Sequence, residues 1–379
     1  MKRWFCGTML FFLLLTLLPL QSQAADISAA SAIVIEASSR TPLYEKDSHT
    51  RRPPASTTKI VTALLAIERA DPKQMLTVSS RAAEVEGSQL GLQEGDQLSL
   101  QDLLHILLMK SGNDAAITIA ENLAGSIEIF AEWMNRKAEE FGLKNTHFTN
   151  PHGLPDDNHY TTAYDLAILA AKAMENELFR EIVQKTKTKL EYKGLVLSNS
   201  NKLLYNCPGA CGIKTGFTKK AGRCLVSAAE RDNVTLICVT LSAPDDWNDH
   251  RALYDICFPR VERYEVLAAG QYKTTQPALN AKNPILLTNA SPLYGIRIDG
   301  QPVPFSSEEY LPAVLFAPVR KGQVVGSIAL TQNSFILSRA YLYAVEDVEE
   351  KYGDQTGTGL FSVYLEQLWN KLIFRRTVF

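Results

Sequence analysis

This 379-residue chain has no excess of basic over acidic residues, and it contains little cysteine and histidine. Lysine and arginine number 39 against 41 aspartates and glutamates, so the formal net charge is −2. Without a basic excess, the composition gives no indication of nucleic-acid binding. Hydrophobic residues make up 46% and charged residues 21%, which is typical of a globular protein, and the length allows two or three domains.

Sequence patterns of several enzyme classes are also missing. No cysteines have the CxxC spacing of a zinc ribbon, no H-E-x-x-H marks a zinc peptidase, and no G-x-S-x-G marks an α/β-hydrolase. His147, His152 and His159 could form a metal cluster with Asp156 and Asp157, but these residues lie in a loop rich in Pro and Gly. We therefore predict that the loop is held by hydrogen bonds, and that the protein uses no metal and no cofactor.

The first residues have the three parts of a secretory signal peptide. Two basic residues precede an uncharged apolar run over 4–20, and small residues follow at Ser22 and Ala24. This pattern predicts a signal peptide over 1–24 and an exported protein. The alternative, an uncleaved membrane anchor, is disfavoured by the small residues at the predicted cleavage site.

Removal of the signal peptide leaves an odd number of cysteines. The five that remain are Cys207, Cys211, Cys224, Cys238 and Cys257. At least one of them has no partner within the chain. Cys207 and Cys211 could form a disulfide across a loop or remain thiols, and the sequence leaves both options open.

The rest of the chain divides by its patterning into an α/β part and a β part. Residues 25–262 contain helical and strand-like runs typical of one mixed α/β unit, including a strand predicted over 189–197. Residues 263–350 contain short β-rich runs separated by Pro and Gly, which predicts a small all-β domain with a hairpin turn at Lys321-Gly322. The predicted helices span 57–70, 100–110, 114–124, 127–141, 162–173 and 250–258.

The last segment, 351–379, joins a glycine-containing linker to an amphipathic pattern. Its apolar residues recur on one helical stripe, its polar residues lie opposite, and Arg375-Arg376 end it. Such a helix cannot span a bilayer, but it can lie in the membrane interface with its cations near anionic headgroups. We predict that 360–376 binds the outer face of the cytoplasmic membrane. The alternative is a helix packed on the β domain.

Three short motifs follow one another along the α/β unit. They are S-x-x-K at Ser56-Thr57-Thr58-Lys59, S-x-N at Ser111-Gly112-Asn113, and K-T-G at Lys214-Thr215-Gly216. Any one of them arises by chance in long chains. All three in this order, on a chain with an export signal, are a specific indication of a serine nucleophile.

The surroundings of Ser56 support a functional serine. Pro53-Pro54 cannot lie inside a helix, so a helix is predicted to begin near Ser56. Lys59 then lies one turn along on the same face, and the helix dipole favours negative charge developing at Ser56. An ordinary capping serine would need no lysine behind it on an apolar face, and a buried lysine is costly unless it has a role.

The three motifs are the shared signature of penicillin-binding proteins and serine β-lactamases. Longer stretches resemble the serine-type D-Ala-D-Ala carboxypeptidases, the low-molecular-mass penicillin-binding proteins of peptidase family S11. These stretches lie at 55–59, 108–116, 150–154, 159–165 and 212–222. The resemblance covers most of 27–262. It implies an α/β (α+β) transpeptidase fold of the penicillin-binding and β-lactamase type, with an antiparallel sheet and a helical cluster, followed by the all-β domain.

The resemblance also implies a mechanism. Ser56 attacks the carbonyl between the two terminal D-alanines of a peptidoglycan stem peptide, and Lys59 takes its proton. Ser111 relays a proton toward the leaving D-alanine. β-Lactams mimic this amide and are expected as covalent inhibitors. The implied substrate-binding residues are Asn113, Lys214, Thr215, Gly216 and Phe217.

Three alternatives use the same sequence features. A D,D-endopeptidase acting on cross-links would need the same residues, and a β-lactamase-like hydrolase would need a further base that has no clear counterpart here. A wall-binding scaffold would be free to lose Ser56, Lys59, Ser111 and Lys214, which are all intact. The family often has a carboxylate-binding arginine in the region after the K-T-G strand, and Arg251 lies near that region.

Overall fold

A computed structural model describes residues 26–351 of the protein. The signal peptide predicted over 1–24 and the tail from residue 352 onward lie outside the described residues, so both stay predictions. Within 26–351, no helix is both long enough and apolar enough to cross a bilayer.

The α/β unit contains nine strands. In chain order they are β1 (Ser31–Glu36), β2 (Pro42–Lys46), β3 (Met75–Thr77), β4 (Gln97–Ser99), β5 (Lys187–Lys189), β6 (Val196–Ser198), β7 (Ala210–Thr218), β8 (Gly222–Arg231) and β9 (Val234–Leu241). Five of them form an antiparallel sheet in the order β2-β1-β9-β8-β7, and the others pair as β3-β4 and β5-β6.

Helices cover both faces of the sheet. They are α1 (Lys59–Arg69), α2 (Ser80–Ala83), α3 (Leu100–His105), α4 (Asn113–Ala124), α5 (Ile127–Glu140), α6 (Ala163–Ala173), α7 (Glu177–Gln184), α8 (Leu203–Asn206) and α9 (Asp246–Cys257). A 3-10 turn, Ala55–Thr58, precedes α1, and one π-helical turn, Ile106–Lys110, follows α3. The predicted helices agree with these within a few residues, but no helix was predicted for α7 or for the short α2 and α8.

Alternate residues of the strands enter two separate cores. Ile33 and Ile35 of β1 pack with the helical cluster, while Ala32 and Val34 pack with α9 on the opposite face. Every residue of β1 is buried, as expected for a strand covered on both faces. The antiparallel sheet with its helical cluster confirms the predicted fold class.

The two cores also decide between the options for Cys207 and Cys211. Cys207 is buried in the core on the α9 side, whereas Cys211 packs against the core of the helical cluster. The side chains lie on opposite faces of the sheet, so no disulfide joins them, and all five described cysteines are free thiols.

The single strand predicted over 189–197 is wrong. The chain forms two short strands, β5 and β6, joined by a turn in which Lys193 and Gly194 have positive φ. Asp102 fixes this turn by accepting hydrogen bonds from the backbone N–H groups of Glu191 and Tyr192, at 3.3 and 2.7 Å. A carboxylate that is distant in sequence, that of Asp102, therefore stabilises a chain reversal where local β propensity favours one continuous strand.

The β domain has a core of its own between two antiparallel sheets. Its strands are β10 (Val261–Leu267), β11 (Lys273–Gln276), β12 (Ile285–Asn289), β13 (Leu293–Ile298), β14 (Gln301–Pro302), β15 (Ser306–Tyr310), β16 (Val324–Gln332) and β17 (Phe335–Ala344). The sheet orders are β10-β13-β14 and β11-β12-β17-β16-β15. This confirms the all-β character, and β10 crosses residue 262, where the sequence placed the boundary.

The hairpin predicted at Lys321-Gly322 is wrong. Residues 313–316 form no strand, and β16 pairs with β15 and β17 instead. The hairpin turn lies at Asn333-Ser334, where both residues have positive φ, the conformation that a tight two-residue hairpin requires. The two residues are not glycines, which is why the sequence reading passed over them.

Candidate active site

Ser56 lies in the 3-10 turn at the start of α1. The turn is closed locally, because the Thr57 and Thr58 hydroxyls donate to the carbonyls of Pro54 and Ala55 at 2.6 and 2.9 Å. The α-helix begins at Lys59, two residues after the start of the helix predicted over 57–70. Lys59 nevertheless lies beside the serine as predicted, with its Nζ 3.0 Å from Ser56 Oγ.

The Lys59 amine has three neighbours in fixed positions. Besides Ser56 Oγ, it lies 2.7 Å from Asn113 Oδ1 and 2.7 Å from the carbonyl oxygen of His152. A carbonyl oxygen can only accept, so these two contacts use two N–H bonds. In the neutral amine the remaining position is a lone pair, and it faces the serine hydroxyl. The arrangement orients Lys59 to accept the Ser56 proton.

The charge state of Lys59 is governed by burial. Its side chain is completely buried. Desolvation lowers the pKa of Lys59 well below its ordinary value, the Lys214 cation lowers it further, and Asp114 opposes this. Burial also lowers the pKa of Lys214, to about 7. The site therefore favours the neutral form of Lys59 more strongly than water does.

Asn113 and Asp114 tie a neighbouring loop to the site. Asn113 Nδ2 donates to the Glu86 carbonyl at 2.6 Å, and its backbone N–H donates to the Ser88 carbonyl at 2.7 Å. The buried Asp114 carboxylate accepts from the backbone N–H groups of Leu90, Gly91 and Leu92, at 2.8 to 3.3 Å. Asn113, which orients Lys59, thus also helps Asp114 to position the loop carrying Ser88.

Strand β7 brings the K-T-G motif against Ser56. It is an edge strand, and within residues 26–351 its one sheet partner is β8. A Cβ at Gly216 would lie 3.0 Å from Ser56 N and 3.2 Å from the Pro54 carbonyl, so a glycine permits this approach. Phe217, the next residue, is 65% exposed. The open edge can accept an extended peptide as an added strand.

The predicted residues meet at one cleft of about 340 Å³. Ser56, Ser111, Thr215, Gly216 and Phe217 line it, with Ser111 in a left-handed conformation after the π-helical turn. Lys59, Asn113 and Lys214 are buried. The cleft also includes residues that the sequence reading missed: Ser88, Lys110, Ser200, Lys202, Arg223, Asp246 and Trp247.

Arg223, not Arg251, is the arginine of the cleft. Its Nε and Nη2 donate to Asp246 Oδ1 at 3.0 and 2.7 Å, and its guanidinium lies 5.6 Å from the centre of the Trp247 ring. Arg251 is exposed on α9 and bonds to Asn248. The sequence does contain a signal for Arg223. It follows the K-T-G motif at the spacing of a tight hairpin, and it pairs with Phe217 across β7 and β8.

The three loop histidines take part in hydrogen bonds within the loop. His152 Nδ1 accepts from Leu154 N at 3.1 Å, and His147 Nδ1 donates to the Asn158 carbonyl at 2.6 Å. His159 Nδ1 accepts from Thr149 N at 3.0 Å, so its Nε2–H donates to Thr58 Oγ1. Across residues 26–351, no cluster of three or more metal-ligating side chains occurs.

Burial keeps two of these histidines neutral. Desolvation and the nearby Lys59 lower the pKa of His152 to about 3. Desolvation lowers the pKa of His159 to about 4. A positive charge on the His152 or His159 ring would make it harder for Lys59 to take up the Ser56 proton. Because both rings are neutral, the loop supplies the His152 carbonyl without adding a positive charge beside Lys59.

Comparison with known proteins places these features in one family. A sequence model described as D-alanyl-D-alanine carboxypeptidase matches residues 19–245. D-alanyl-D-alanine carboxypeptidase DacF of Bacillus subtilis is 33% identical over 338 residues, which is 85% of this chain and 86% of that protein. DacA of Haemophilus influenzae is 29% identical over 363 residues, or 92% and 89% of the two chains.

Solved structures agree over both domains. Penicillin binding protein 5 from Haemophilus influenzae aligns with a TM-score of 0.62 and 28% identity, covering 86% of this chain and 99% of that one. A peptidoglycan synthesis regulatory factor, PBP3, from Streptococcus pneumoniae aligns with a TM-score of 0.68 and 25% identity, covering 85% and 100%.

Proposed function

The chain belongs to the D-alanyl-D-alanine carboxypeptidase family and is a penicillin-binding protein, and on this premise we propose that it removes the terminal D-alanine of peptidoglycan stem peptides through an acyl-enzyme on Ser56. The observation that carries this proposal is the Lys59 amine, completely buried, 3.0 Å from Ser56 Oγ and held by two carbonyl acceptors.

Acylation begins with proton transfer from Ser56 Oγ to neutral Lys59. The serine oxygen forms a bond to the carbonyl carbon between the two D-alanines, and the carbonyl oxygen takes up the negative charge. The backbone N–H groups of Ser56 and Phe217 are proposed to stabilise this oxyanion. Collapse of the intermediate breaks the C–N bond, and Ser111 relays the proton to the leaving nitrogen. Water then attacks the ester and frees Ser56.

Substrate orientation follows from the edge strand and the charges. The stem peptide pairs with β7 beside Gly216, and Asn113 bonds its amide. Lys214 supplies positive potential, and Thr215 and Arg223 bind the terminal carboxylate. No step requires a metal or a cofactor.

Product analysis tests the proposal. Purified protein is offered a monomeric pentapeptide ending in D-Ala-D-Ala and a cross-linked dimer, each with and without benzylpenicillin. We expect penicillin-sensitive release of D-alanine from the monomer, together with a penicillin adduct that Ser56→Ala abolishes. Cleavage mainly of the dimer would assign a D,D-endopeptidase, and rapid turnover of the penicillin itself would assign a β-lactamase-like hydrolase. An adduct that persists in Ser56→Ala would overturn the role of Ser56.

Arg223 is proposed as the carboxylate-binding arginine. Arg223→Gln should raise KM for the pentapeptide by a factor on the order of 10 to 100, because one charge-assisted bond to a carboxylate is lost. A substrate whose terminal carboxylate is amidated should not distinguish the variant from the wild type. Arg251→Gln serves as the matched control. Equal KM increases for both substrates would show that Arg223 only supports the fold.

We further propose export and attachment to the outer face of the cytoplasmic membrane through 360–376. The amphipathic tail and the signal-like N-terminus support this. A chain ending at residue 355 should no longer sediment with vesicles containing phosphatidylglycerol, while its penicillin acylation is unchanged. Equal sedimentation of the two chains would refute the attachment and favour a tail packed on the β domain.

A further inference from the structure

A second cavity, of about 540 Å³, lies between the two domains. The α/β unit contributes the β1–β2 turn, α6 and α7, and the β domain contributes the β16–β17 hairpin. It shares no lining residue with the catalytic cleft. Ligand sites occur preferentially at such domain junctions, and the volume is in the range of small-molecule sites.

The charged side chains around this interdomain cavity are mainly cationic. Arg40, Lys172, Arg180 and Arg339 line it, against Glu175 and Glu230. The excess is local, because the chain as a whole has a net charge of −2. Glu175 is already engaged by Arg40 and by Lys172.

Two guanidinium groups are left without a carboxylate. Arg180, on α7, donates from Nη1 to the Met174 carbonyl at 2.9 Å, and Arg339, on β17, lies 5.0 Å from the centre of the Tyr310 ring. Neither forms an ion pair with any residue from 26 to 351. Arginines from both domains therefore line one cavity without a carboxylate partner among the described residues, and their planar forks suit a carboxylate.

Arg40 adds a buried cation to the same wall. Its side chain is only 5% exposed, and the guanidinium is fixed in place, since it pairs with Glu175 and lies 5.2 Å from the centre of the Phe335 ring, on the β domain. Its Nε is closed to solvent, so Arg40 supports an anionic ligand in the cavity through its charge and not through that donor.

The apolar part of the wall limits the shape of the ligand. It comes from Ala37, Ala171, Met174 and Ile336. These side chains can contact the methyl groups of alanine residues. The complementary ligand is a small peptide that contains alanine and carries free carboxylates.

We propose that the interdomain cavity binds such a peptide, namely the free tetrapeptide stem that ends in D-alanine, with its carboxylate between Arg180 and Arg339. The identity of the peptide rests on the proposed function, because a stem peptide is the carboxylate-bearing, alanine-containing molecule that the cleft would process. Since the ligand contacts both domains, it also fixes their relative position.

The test uses the full chain with its cleft blocked. The protein is acylated with benzylpenicillin, the adduct is verified by intact mass, and a synthetic stem tetrapeptide is titrated by calorimetry. We expect saturable 1:1 binding that is weakened at least tenfold by Arg180→Gln and by Arg339→Gln. Arg136→Gln, an exposed arginine on α5, is the matched control. The tetrapeptide with a C-terminal carboxamide should bind at least tenfold more weakly than the acid.

The unfolding temperature of each variant guards against misfolding, since a variant that unfolds at the wild-type temperature has lost only its contact with the peptide. The proposal would be overturned if the peptide did not bind, or if Arg339→Gln bound it as tightly as the wild type. It would also be overturned if phosphatidylglycerol vesicles displaced the peptide from the protein. Failure of the proposed function would be seen earlier, as a missing penicillin adduct, so the two failures are distinguishable.

Discussion

Lys59→Arg is expected to slow acylation of Ser56 by benzylpenicillin by a factor on the order of 10³ to 10⁴, the contribution of a general base. Arginine keeps N–H donors in the same place, but it stays protonated and cannot accept the serine proton. Together with the neutral variant Lys59→Gln, it separates the loss of a proton acceptor from a change of charge. The measurement is the second-order rate constant of adduct formation, followed by stopped-flow or intact mass.

Two controls make this result interpretable. Lys59→Gln should be equally slow, because its amide is neutral but is not a base. Lys73→Arg, at an exposed position far from the motifs, should react at the wild-type rate. Unfolding temperatures of all variants are compared, since Lys59 is buried. Acylation of Lys59→Arg within tenfold of the wild type would assign the base to another group.

The pH profile of the acylation rate is expected to be bell-shaped, and Lys214→Gln is expected to change both limbs of this profile. On the acidic side the rate rises as Lys59 loses its proton, at a pH below that of an ordinary lysine. On the alkaline side it falls as Lys214 loses its charge, with a pKa of about 7. Such a profile reports the free enzyme when it is measured as kcat/KM.

The direction of each change in Lys214→Gln follows from the charges. The Lys214 cation lowers the pKa of Lys59, so its removal lets that pKa rise, and the acidic limb moves to higher pH. The alkaline limb disappears, because the group that titrated there is gone. The maximum rate should fall by a factor on the order of 10² to 10³, as for loss of one group that stabilises charge in the transition state. An acidic limb that moves to lower pH, or stays in place, would contradict this account.

The motif residues could be predicted because their chemistry depends on short spacings. Ser56 and Lys59 are one turn apart, and a turn of helix is fixed by local geometry whether it begins as a 3-10 or an α-helical turn. The strands of the main sheet were readable for a similar reason, since β1 and β9 are continuous hydrophobic runs. The carboxypeptidase family and the fold class followed from these features.

Other parts of the site depend on long-range contacts that no local pattern encodes. The place of Arg223 is set by the β7–β8 register and by Asp246, 23 residues away. One of the two carbonyls that orient Lys59 belongs to the backbone of His152, 93 residues along the chain. Every residue has a backbone carbonyl, so the sequence does not show which one contacts Lys59. The histidines of this loop suggested a role for their rings, whereas the group that contacts Lys59 is the backbone carbonyl of His152.

Strand β7 has a consequence for how the protein behaves in solution. An open sheet edge is a template for any extended chain, and proteins usually protect it by covering it or by shortening the strand. Here neither protection is compatible with the proposed mode of substrate binding, and β7 runs for nine residues with Phe217 exposed. Lys219, which follows the strand, adds an exposed charge that disfavours association of copies, whereas Lys220 pairs with Asp157. The unpaired backbone groups of β7 that would recognise a peptide are thus the same groups that could pair with a second copy of the protein. A peptide or β-lactam bound along β7 would therefore also prevent edge-to-edge association.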